Sequence, residues 1–303
     1  MNKSFTLIEI LVVIVVIGIL SAFILVGMSS ITNSANIAKS KTFSNSLRNS
    51  LLTNLISEWK LDEQSGAAAN DVWKGINNGT LNGFSNTTAG YGDLNTYGWM
   101  SSPNCISGTC LKFNSGKYIN CGNNSILDVS SITVSAWVKT GSSVPVDWST
   151  IIAKGEQGSN SHFWLHYRVG AFRLEYGNGT TRTNAIYNIV PANNTWYHIV
   201  GTYTSGSGYA YVNGVKGSQN TSLTGNLGTN IYNLIIGRAS YADAYYWIGI
   251  IDDVKFFDSV ISTFQIQQSY FLGLNKLFEK KGLTELEYNQ RLSELKSNLA
   301  IHE

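Results

Sequence analysis

Residues 196–217 read WYHIVGTYTSGSGYAYVNGVKG and carry the clearest secondary-structure signal in the chain. Two runs rich in aromatic and β-branched residues flank a turn-forming TSGSG stretch, as expected for consecutive antiparallel strands. A second turn follows at Asn213-Gly214, a dipeptide that favours the tight two-residue connection of a β-hairpin. The segment therefore predicts strands joined by short turns.

The same pattern of short runs separated by Gly, Asn and Ser extends from residue 56 to about residue 257. No amphipathic helical repeat interrupts it, so we predict a mainly β fold, a two-sheet sandwich or jelly roll. The candidate strands are ISEWKL (56–61), CLKF (110–113), KYINC (117–121), ITVSAWVK (132–139), STIIAK (149–154), HFWLHYRV (162–169), AFRLEY (171–176), AIYNIV (185–190), WYHIVGTY (196–203), GYAYVNG (208–214), NLIIGR (233–238) and GIIDDVKFF (249–257).

The order of these segments resembles the LamG-like, concanavalin A-like lectin/glucanase domains over about two hundred residues. The segments that carry the resemblance are SEWKLDEQSG, NNGTLNG, CLKFNSGKYINCG, ITVSAWVKT, WYHIVGTYTSGSGYAYVNGVKG, IGR and GIIDDVKFF. The resemblance implies two stacked antiparallel sheets, one of them concave. It also implies that the concave face or its rim loops bind glycans or other extracellular ligands.

A run of apolar residues without a charge, ILVVIVVIGILSAFILVGM, occupies residues 10–28. As a helix it spans ~28 Å, close to the hydrocarbon thickness of a bilayer. Secretory signal peptides have a shorter apolar region and a small-residue cleavage site after it. We therefore predict a membrane-spanning helix that the mature protein keeps.

The residues before this run, MNKSFTLIE, resemble the class III signal of type IV prepilins and pseudopilins. The resemblance implies that a prepilin peptidase cuts between Ser4 and Phe5 and methylates the Phe5 amine, with Ser4 standing where most members have Gly. It further implies that Glu9 pairs with the Phe5 amine of a neighbouring subunit. A buried pair of this kind sets axial register, because misregistered subunits leave both charges unpaired. The alternative is an ordinary membrane anchor with an interfacial acid.

The last thirty residues include LNKLFEKKGLTELEYNQRLSELKSNL, which resembles the short SHOCT motif, a pair of small helices. Thr284 and Glu287 predict a capping box at the start of the second helix. Docking on the sandwich or on another subunit is suggested by Leu286, Leu292, Leu295 and Leu299, whereas the lack of chemistry favours a solvated appendage. The predicted organisation is a leader (1–4), a transmembrane or filament-core helix (5–28), a helical extension or linker (29–55), the sandwich (56–262) and a C-terminal helical tail (263–303).

Composition and carboxylate spacing argue for a binding protein. Charged residues make up 13% of the chain and the net charge is +2, so no basic footprint for nucleic acid is present. Retaining glucanases need two carboxylates ~5–5.5 Å apart. The closely spaced Glu-x-Asp-x-x-Glu run of that fold class is missing from this sequence. We therefore predict that the protein is not an enzyme.

Three residues of one strand, His162, Trp164 and His166, alternate onto one face. If that face is the concave one, they form a strip that stacks against sugar rings; the alternative is ordinary packing. A zinc site needs a further ligand at a telling spacing, and the sequence offers none. His198 is expected in the core.

Calcium is the metal that the resemblance implies, with Asp71 and Asp252 as its carboxylate ligands. The alternative is a hydrogen-bonded loop without an ion. Three cysteines leave one unpaired. Cys105 and Cys110 would close a small loop, the pairing that the resemblance to pilin-linked domains favours; Cys110 and Cys121 would face each other across a hairpin turning at 115–116.

Together these features predict a type IV pilin-like subunit. It is made as a single-pass precursor in the cytoplasmic membrane, assembles with identical or related pilin subunits, and becomes part of an extracellular filament. Its sandwich is expected to serve adhesion by binding glycans or surfaces, without nucleic acid as a partner. The alternatives are a pseudopilin or minor pilin of a secretion or DNA-uptake system and, less favoured, a tethered glycan hydrolase.

Overall fold

The computed structural model describes residues 53–84, 98–101, 103–156 and 161–300. The chain divides between Thr53 and Asn54 into two units, and the described strands and helices belong to the second, Asn54–Glu303. The predicted leader, membrane-spanning helix and helical extension fall almost entirely outside the described residues, as do Ser4, Phe5 and Glu9. Among the described residues, no helix has the length and apolar character needed to cross a bilayer.

Two antiparallel sheets of eight strands each form the body of this unit. Sheet A has the order β14 (Val215–Lys216), β13 (Ser207–Val212), β12 (Trp196–Thr204), β7 (Ile132–Thr140), β16 (Gly249–Phe257), β5 (Thr109–Phe113) and β4 (Trp99–Ser101), with β1 (Leu55–Trp59) also paired to β16. Sheet B has the order β11 (Arg182–Asn188), β10 (Ala171–Gly177), β9 (Ser161–Arg168), β8 (Ser149–Gly155), β15 (Ile235–Ile236), β6 (Tyr118–Asn120), β3 (Gly79–Asn82) and β2 (Ala68–Ala69).

The predicted fold class is confirmed, and each candidate strand overlaps an observed one. The hairpin at Asn213-Gly214 is present as well, because Val212 pairs with Val215 across it. Both turn residues have positive φ, 52° and 78°. A two-residue turn of this type needs such values, and they explain why Asn and Gly stand there.

Alternation along the strands separates an inner from an outer face of each sheet. On β7, Val134 and Val138 belong to the large buried cluster between the sheets, whereas Trp137 belongs to a second cluster on the outer side of sheet A. On β9, Phe163 and Leu165 join the inner cluster. The outer faces are therefore the surfaces that other elements or ligands can cover.

Two helices follow the last strand, α1 (Thr263–Glu279) and α2 (Glu285–Ala300). Reciprocal capping boxes begin both, with Ser262 and Gln265 at α1 and the predicted pair Thr284 and Glu287 at α2. The helices bury the outer face of sheet A through a cluster that includes Trp137, Trp196, Ile250, Tyr270, Leu274, Leu277 and Leu295.

The solvated appendage favoured for the C-terminal tail is therefore wrong, because α1 packs against strands of sheet A. The prediction that leucines of the tail dock on the sandwich is correct for Leu295, which is buried. It is wrong for Leu286, which is 79% exposed. The resemblance of the helical pair to the SHOCT motif stays a prediction.

Cys105 and Cys110 form the disulfide, and Cys121 is a buried free thiol. The competing pair, Cys110 with Cys121, assumed that β5 and β6 form a hairpin. They do not pair: β5 lies in sheet A and β6 in sheet B. The turn between them crosses from one sheet to the other, so it does not place Cys110 and Cys121 as partners in one ladder.

Candidate functional site

The outer face of sheet B carries the predicted histidine and tryptophan strip. Phe163 and Leu165 point into the core, so Trp164 and His166 point to the outer face of β9. Both are nevertheless fully buried, at 0% exposure. His162 lies in β9, but its side chain is outside the described part of the structure.

Two loops cover the strip and bury it. The ring of Tyr241 stacks on Trp164 with centroids 5.4 Å apart and planes 13° from parallel. Trp148, just before β8, meets Trp164 edge-on at 6.0 Å and lies 5.2 Å from the His166 ring. Trp164 and His166 therefore form the buried layer beneath these rings, which we call the floor. The prediction that they stack directly against a sugar is wrong, because other aromatic rings cover them.

The exposed part of the cluster consists of Trp148, Tyr241 and Tyr245, which we call the aromatic surface. All three side chains are half-buried. Tyr245 lies 5.9 Å from Trp148 and 6.4 Å from the Trp164 floor. Burial and the neighbouring Tyr245 raise the pKa of Tyr241 to about 12, so its hydroxyl stays protonated and can donate a hydrogen bond.

Two members of the aromatic surface have unusual backbones. Trp148 has φ 71° and Tyr245 has φ 60°, a region in which bulky residues are outliers. Thr150 holds both: its hydroxyl donates to the Trp148 carbonyl at 2.8 Å, and its N–H donates to the Tyr245 carbonyl at 2.9 Å. Such conformations cost of order 1–3 kcal/mol each and cluster at ligand-binding sites.

Charged and polar groups border the aromatic surface. Arg182 donates to Glu175 at 2.9 Å, and the Tyr232 hydroxyl donates to Glu156 at 2.7 Å. Arg168 lies over the Trp148 ring, 3.9 Å from its centroid, in a cation–π contact. The surface therefore combines flat apolar rings with fixed donors and acceptors at its edge.

His166 beneath this surface is uncharged at neutral pH. Burial lowers its pKa to about 3, and the nearby charges of Arg173 and Arg168 add to the effect. Its two ring nitrogens are buried and have no hydrogen-bond partner among the described residues. The geometry makes it part of the apolar floor and gives it no acid–base role.

Asp71 organises the loop after β2 through backbone hydrogen bonds. Its carboxylate accepts from the N–H groups of Glu58 and Trp73, each at 3.1 Å, and from that of Asn77 at 3.4 Å. Asp71 is 3% exposed. These bonds correspond to the ion-free loop that was the alternative to a calcium site.

Backbone hydrogen bonds also hold Asp252, which lies on β16. Its carboxylate accepts from the N–H of Ile106 at 2.7 Å and from that of Asp253 at 2.8 Å. Burial and the charge of Asp253 raise the pKa of Asp252 well above its usual range, which favours its neutral form. Backbone N–H donors therefore point at both oxygens of Asp71 and of Asp252, where a calcium ion would need unoccupied oxygen ligands, and this argues against a shared calcium ion. Within the described ranges, no group of three or more His, Cys, Asp and Glu side chains could hold a metal.

His198 occupies the core position predicted for it, on the outer side of sheet A. Its ring lies 5.1 Å from Trp137 and stacks on Tyr270 of α1 at 6.3 Å. Nearby, Lys255 binds Asp253 at 2.5 Å and Glu58 at 3.5 Å. These charged groups neutralise one another beneath the helices.

Sequence reasoning missed all three residues of the aromatic surface. A signal was available in YADAYYW (241–247), where three tyrosines and a tryptophan fall within one stretch between two strands. An aromatic-rich loop next to a strand with alternating aromatic residues marks a site where rings meet. Trp148 carries no comparable signal, because its positive φ and its ring contacts depend on the tertiary fold.

The chain belongs to the concanavalin A-like lectin/glucanases superfamily, whose family model matches residues 113–267. A second family model, the prokaryotic N-terminal methylation motif, matches residues 1–25. The chain therefore joins a prepilin-type N-terminus to a lectin-like sandwich, as its sequence resemblances indicated. Comparison with curated proteins gives no match.

Solved structures share the sandwich at low sequence identity. Domain 4 of AbnA, an extracellular GH43 arabinanase from Geobacillus stearothermophilus solved with arabinotriose, has a TM-score of 0.54 and 15% identity over 71% of this chain and 97% of that chain. The binding domain of Paraclostridial Mosquitocidal Protein 1 has a TM-score of 0.56 and 14% identity, covering 74% of this chain and 53% of that chain.

A third example is the botulinum neurotoxin serotype D ligand-binding domain in complex with N-acetylneuraminic acid. Its TM-score is 0.51 with 18% identity, covering 72% of this chain and 51% of that chain. This chain thus spans about half the length of the two toxin domains. At these identities the likeness concerns the fold alone.

Proposed function

We propose that this protein is a type IV pilin-like subunit that displays a saccharide-binding sandwich on a surface filament, with the aromatic surface as the binding site. The observation that carries the proposal is the pair Trp148 and Tyr245, two aromatic residues in contact that both have strained, positive φ. Rings that a strained backbone holds in place are preorganised for a ligand, which supports a binding role for these two half-buried side chains.

The chemistry of the surface suits a sugar. Aromatic faces bury the apolar C–H face of a sugar ring, while the hydroxyls need hydrogen-bond partners at the edge. Arg182, Glu175 and Glu156 provide charged partners of both signs near Tyr241. The relatives named with arabinotriose and N-acetylneuraminic acid bind sugars on the same fold, which supports the class of ligand without locating the site.

Binding without hydrolysis is the activity we expect. Glu58 and Asp253 share Lys255 in a half-buried network, and Glu175 is held by Arg182. Catalysis requires one carboxylic acid and one free carboxylate flanking the scissile bond. We therefore expect bound oligosaccharides to be recovered intact after prolonged incubation, and release of shorter sugars would contradict a purely binding role.

The binding site is tested on an array of neutral and acidic oligosaccharides with the full chain purified in detergent. Tyr241→Ala removes the ring that stacks on Trp164, so we expect at least a tenfold loss of affinity. Tyr209→Ala, on sheet A, is the matched control and should change affinity less than twofold. Equal affinity of the Tyr241 variant and the wild type for every sugar that binds would rule out this surface.

Assembly is tested separately at the N-terminus. Glu9→Val removes the acid that we expect to pair with the Phe5 amine of the next subunit, so the sandwich should fold while incorporation into filaments falls. Glu9→Asp keeps the charge and should retain part of the incorporation. Filaments that take up Glu9→Val as well as wild type would contradict the register role.

A further inference from the structure

A second depression lies on the outer face of sheet B, around β3 and β6 at the opposite end of the sheet from β11. It is an open cleft of about 520 Å³. Its lining is rich in amides, from Asn78, Asn120, Asn123, Asn124 and Asn233. We call it the amide cleft. Its volume falls in the ~300–1,000 Å³ range of small-molecule sites.

Two of these amides are held in a fixed orientation. The Oδ1 atom of Asn120 accepts from the N–H of Gly122 at 3.0 Å, and that of Asn124 accepts from the N–H of Ile126 at 3.2 Å. These bonds fix the plane of each amide, and each Nδ2 group, which has no acceptor among the described residues, remains as a donor. Donors that are oriented before binding lose little freedom when a ligand arrives.

Two further amides are available in full. Asn123 and Asn233 make no hydrogen bond with any residue in the described part of the chain, so each offers both a donor and an acceptor. Thr80 adds a hydroxyl to the lining, and Ile76, 49% exposed, adds an apolar contact. A ligand for this cleft must therefore both donate and accept repeatedly and must present one apolar side.

Charge selects among such ligands. Among the described residues that line the cleft there is no Asp, Glu, Lys or Arg. A carboxylate or sulfate in this cleft would gain no opposite charge from the lining. Hydroxyl groups, in contrast, match side-chain amides in both directions, because each hydroxyl is one donor and an acceptor.

We propose that the amide cleft is a second binding site, for a neutral oligosaccharide. It is separate from the aromatic surface and does not rest on the function proposed for that surface. Asn120 and Asn124 donate to sugar oxygens, Asn233 and Asn123 bind hydroxyls in both senses, and Ile76 packs against a ring face. A saccharide site in this cleft would allow one subunit to hold two sugars on the same sheet.

The decisive variant is Asn120→Asp in the full chain, titrated calorimetrically with arabinotriose, xylotriose, cellotriose and maltotriose. Aspartate has the same shape and still accepts from the Gly122 N–H, so the turn is kept, but the Nδ2 donor is replaced by a negative oxygen. We expect at least one trisaccharide to bind the wild type and to bind the variant at least tenfold more weakly. Asn233→Ala should also weaken binding, whereas Asn188→Asp, an exposed change on β11, should not.

Two results would contradict the proposal that the amide cleft binds a sugar. One is that none of the four trisaccharides binds the wild type; the other is that their affinities are the same in Asn120→Asp and Asn233→Ala, both with unchanged melting temperature. Binding of N-acetylneuraminic acid that depends on Asn120 would overturn the neutral class. The Tyr241→Ala variant distinguishes the two sites. If sugar binding is lost in this variant and is unchanged in the cleft variants, the aromatic surface is the binding site and the cleft proposal is wrong.

Discussion

Gly273 of α1 lies directly against the indole of Trp137 on β7. A Cβ atom placed on this glycine would fall 2.3 Å from a carbon of the indole ring. One turn earlier, Tyr270 stacks on the same indole with centroids 5.6 Å apart and planes 22° from parallel. The glycine is therefore what allows the helix to approach the outer face of sheet A closely enough for this stacking.

Adding a methyl group at this contact should destabilise the domain. We expect Gly273→Ala to lower the free energy of unfolding by about 1–3 kcal/mol, because the packed indole has no room to yield. Urea unfolding followed by tryptophan fluorescence measures the change. Glu279→Ala, an exposed site on the same helix, is the control and should stay within about 0.5 kcal/mol. A stabilised Gly273→Ala variant would show that the helix does not sit on Trp137.

The disulfide between Cys105 and Cys110 should contribute moderately to stability. It closes a short loop, so the chain-entropy relation gives about 2 kcal/mol for its loss. Cys105→Ser with Cys110→Ser should lower the melting temperature accordingly. Alkylation of the unreduced, denatured chain should modify Cys121 alone, and modification of Cys105 or Cys110 would contradict the pairing.

Two buried histidines should make the sandwich less stable in acid. Burial lowers the pKa of His166 and of His198 to about 3, whereas an exposed histidine titrates near 6.5. The unfolded chain therefore binds more protons between these values. The contribution of the two neutral histidines to the free energy of unfolding is fully present above pH ~6.5, and it is lost as the pH falls towards 3.

The contribution of one histidine can be isolated by substitution. His166→Leu should flatten the dependence of the unfolding free energy on pH by up to about 1.4 kcal/mol per pH unit between pH 6 and 4. Urea titrations at several pH values measure the slope. An unchanged slope would mean that His166 protonates in the folded protein and is not the neutral floor described above.

Calcium at Asp71 and Asp252 stays a prediction from resemblance, and the hydrogen bonds around both residues argue against it. We expect the melting temperature to be the same in excess calcium and in excess chelator. Binding of the ion to the folded state alone would raise it in a concentration-dependent manner. Such a rise, abolished by Asp71→Asn, would restore the calcium site.

The strands could be predicted from sequence because their signals are local. Alternation, β-branched residues and the Asn213-Gly214 turn each act over a few residues, and the observed ladder follows them. The short β2 and β4 carry no comparable pattern, since their pairing depends on neighbours distant in sequence. The sequence also does not show which sheet each strand joins, and that is why Cys110–Cys121 stayed open as the alternative to the Cys105–Cys110 pairing.

The sequence predicted only part of the candidate site. The alternation of β9 placed Trp164 and His166 on one face, and this holds. Their burial depends on Tyr241 and Trp148, which approach from loops far along the chain. Long-range covering of this kind has no local signature, so sequence alone identified the floor of the site and missed its surface.

The proposed binding function depends most on whether a sugar contacts Trp148. The measurement is tryptophan fluorescence of the full chain and of Trp148→Phe, titrated with the oligosaccharide that the array selects. Phenylalanine keeps an aromatic ring, so binding should persist by calorimetry while the saturable change in emission becomes clearly smaller, because only the buried Trp164 remains to report it. If the emission of Trp148→Phe responds as fully as that of the wild type, the sugar binds elsewhere and the aromatic surface is not the site.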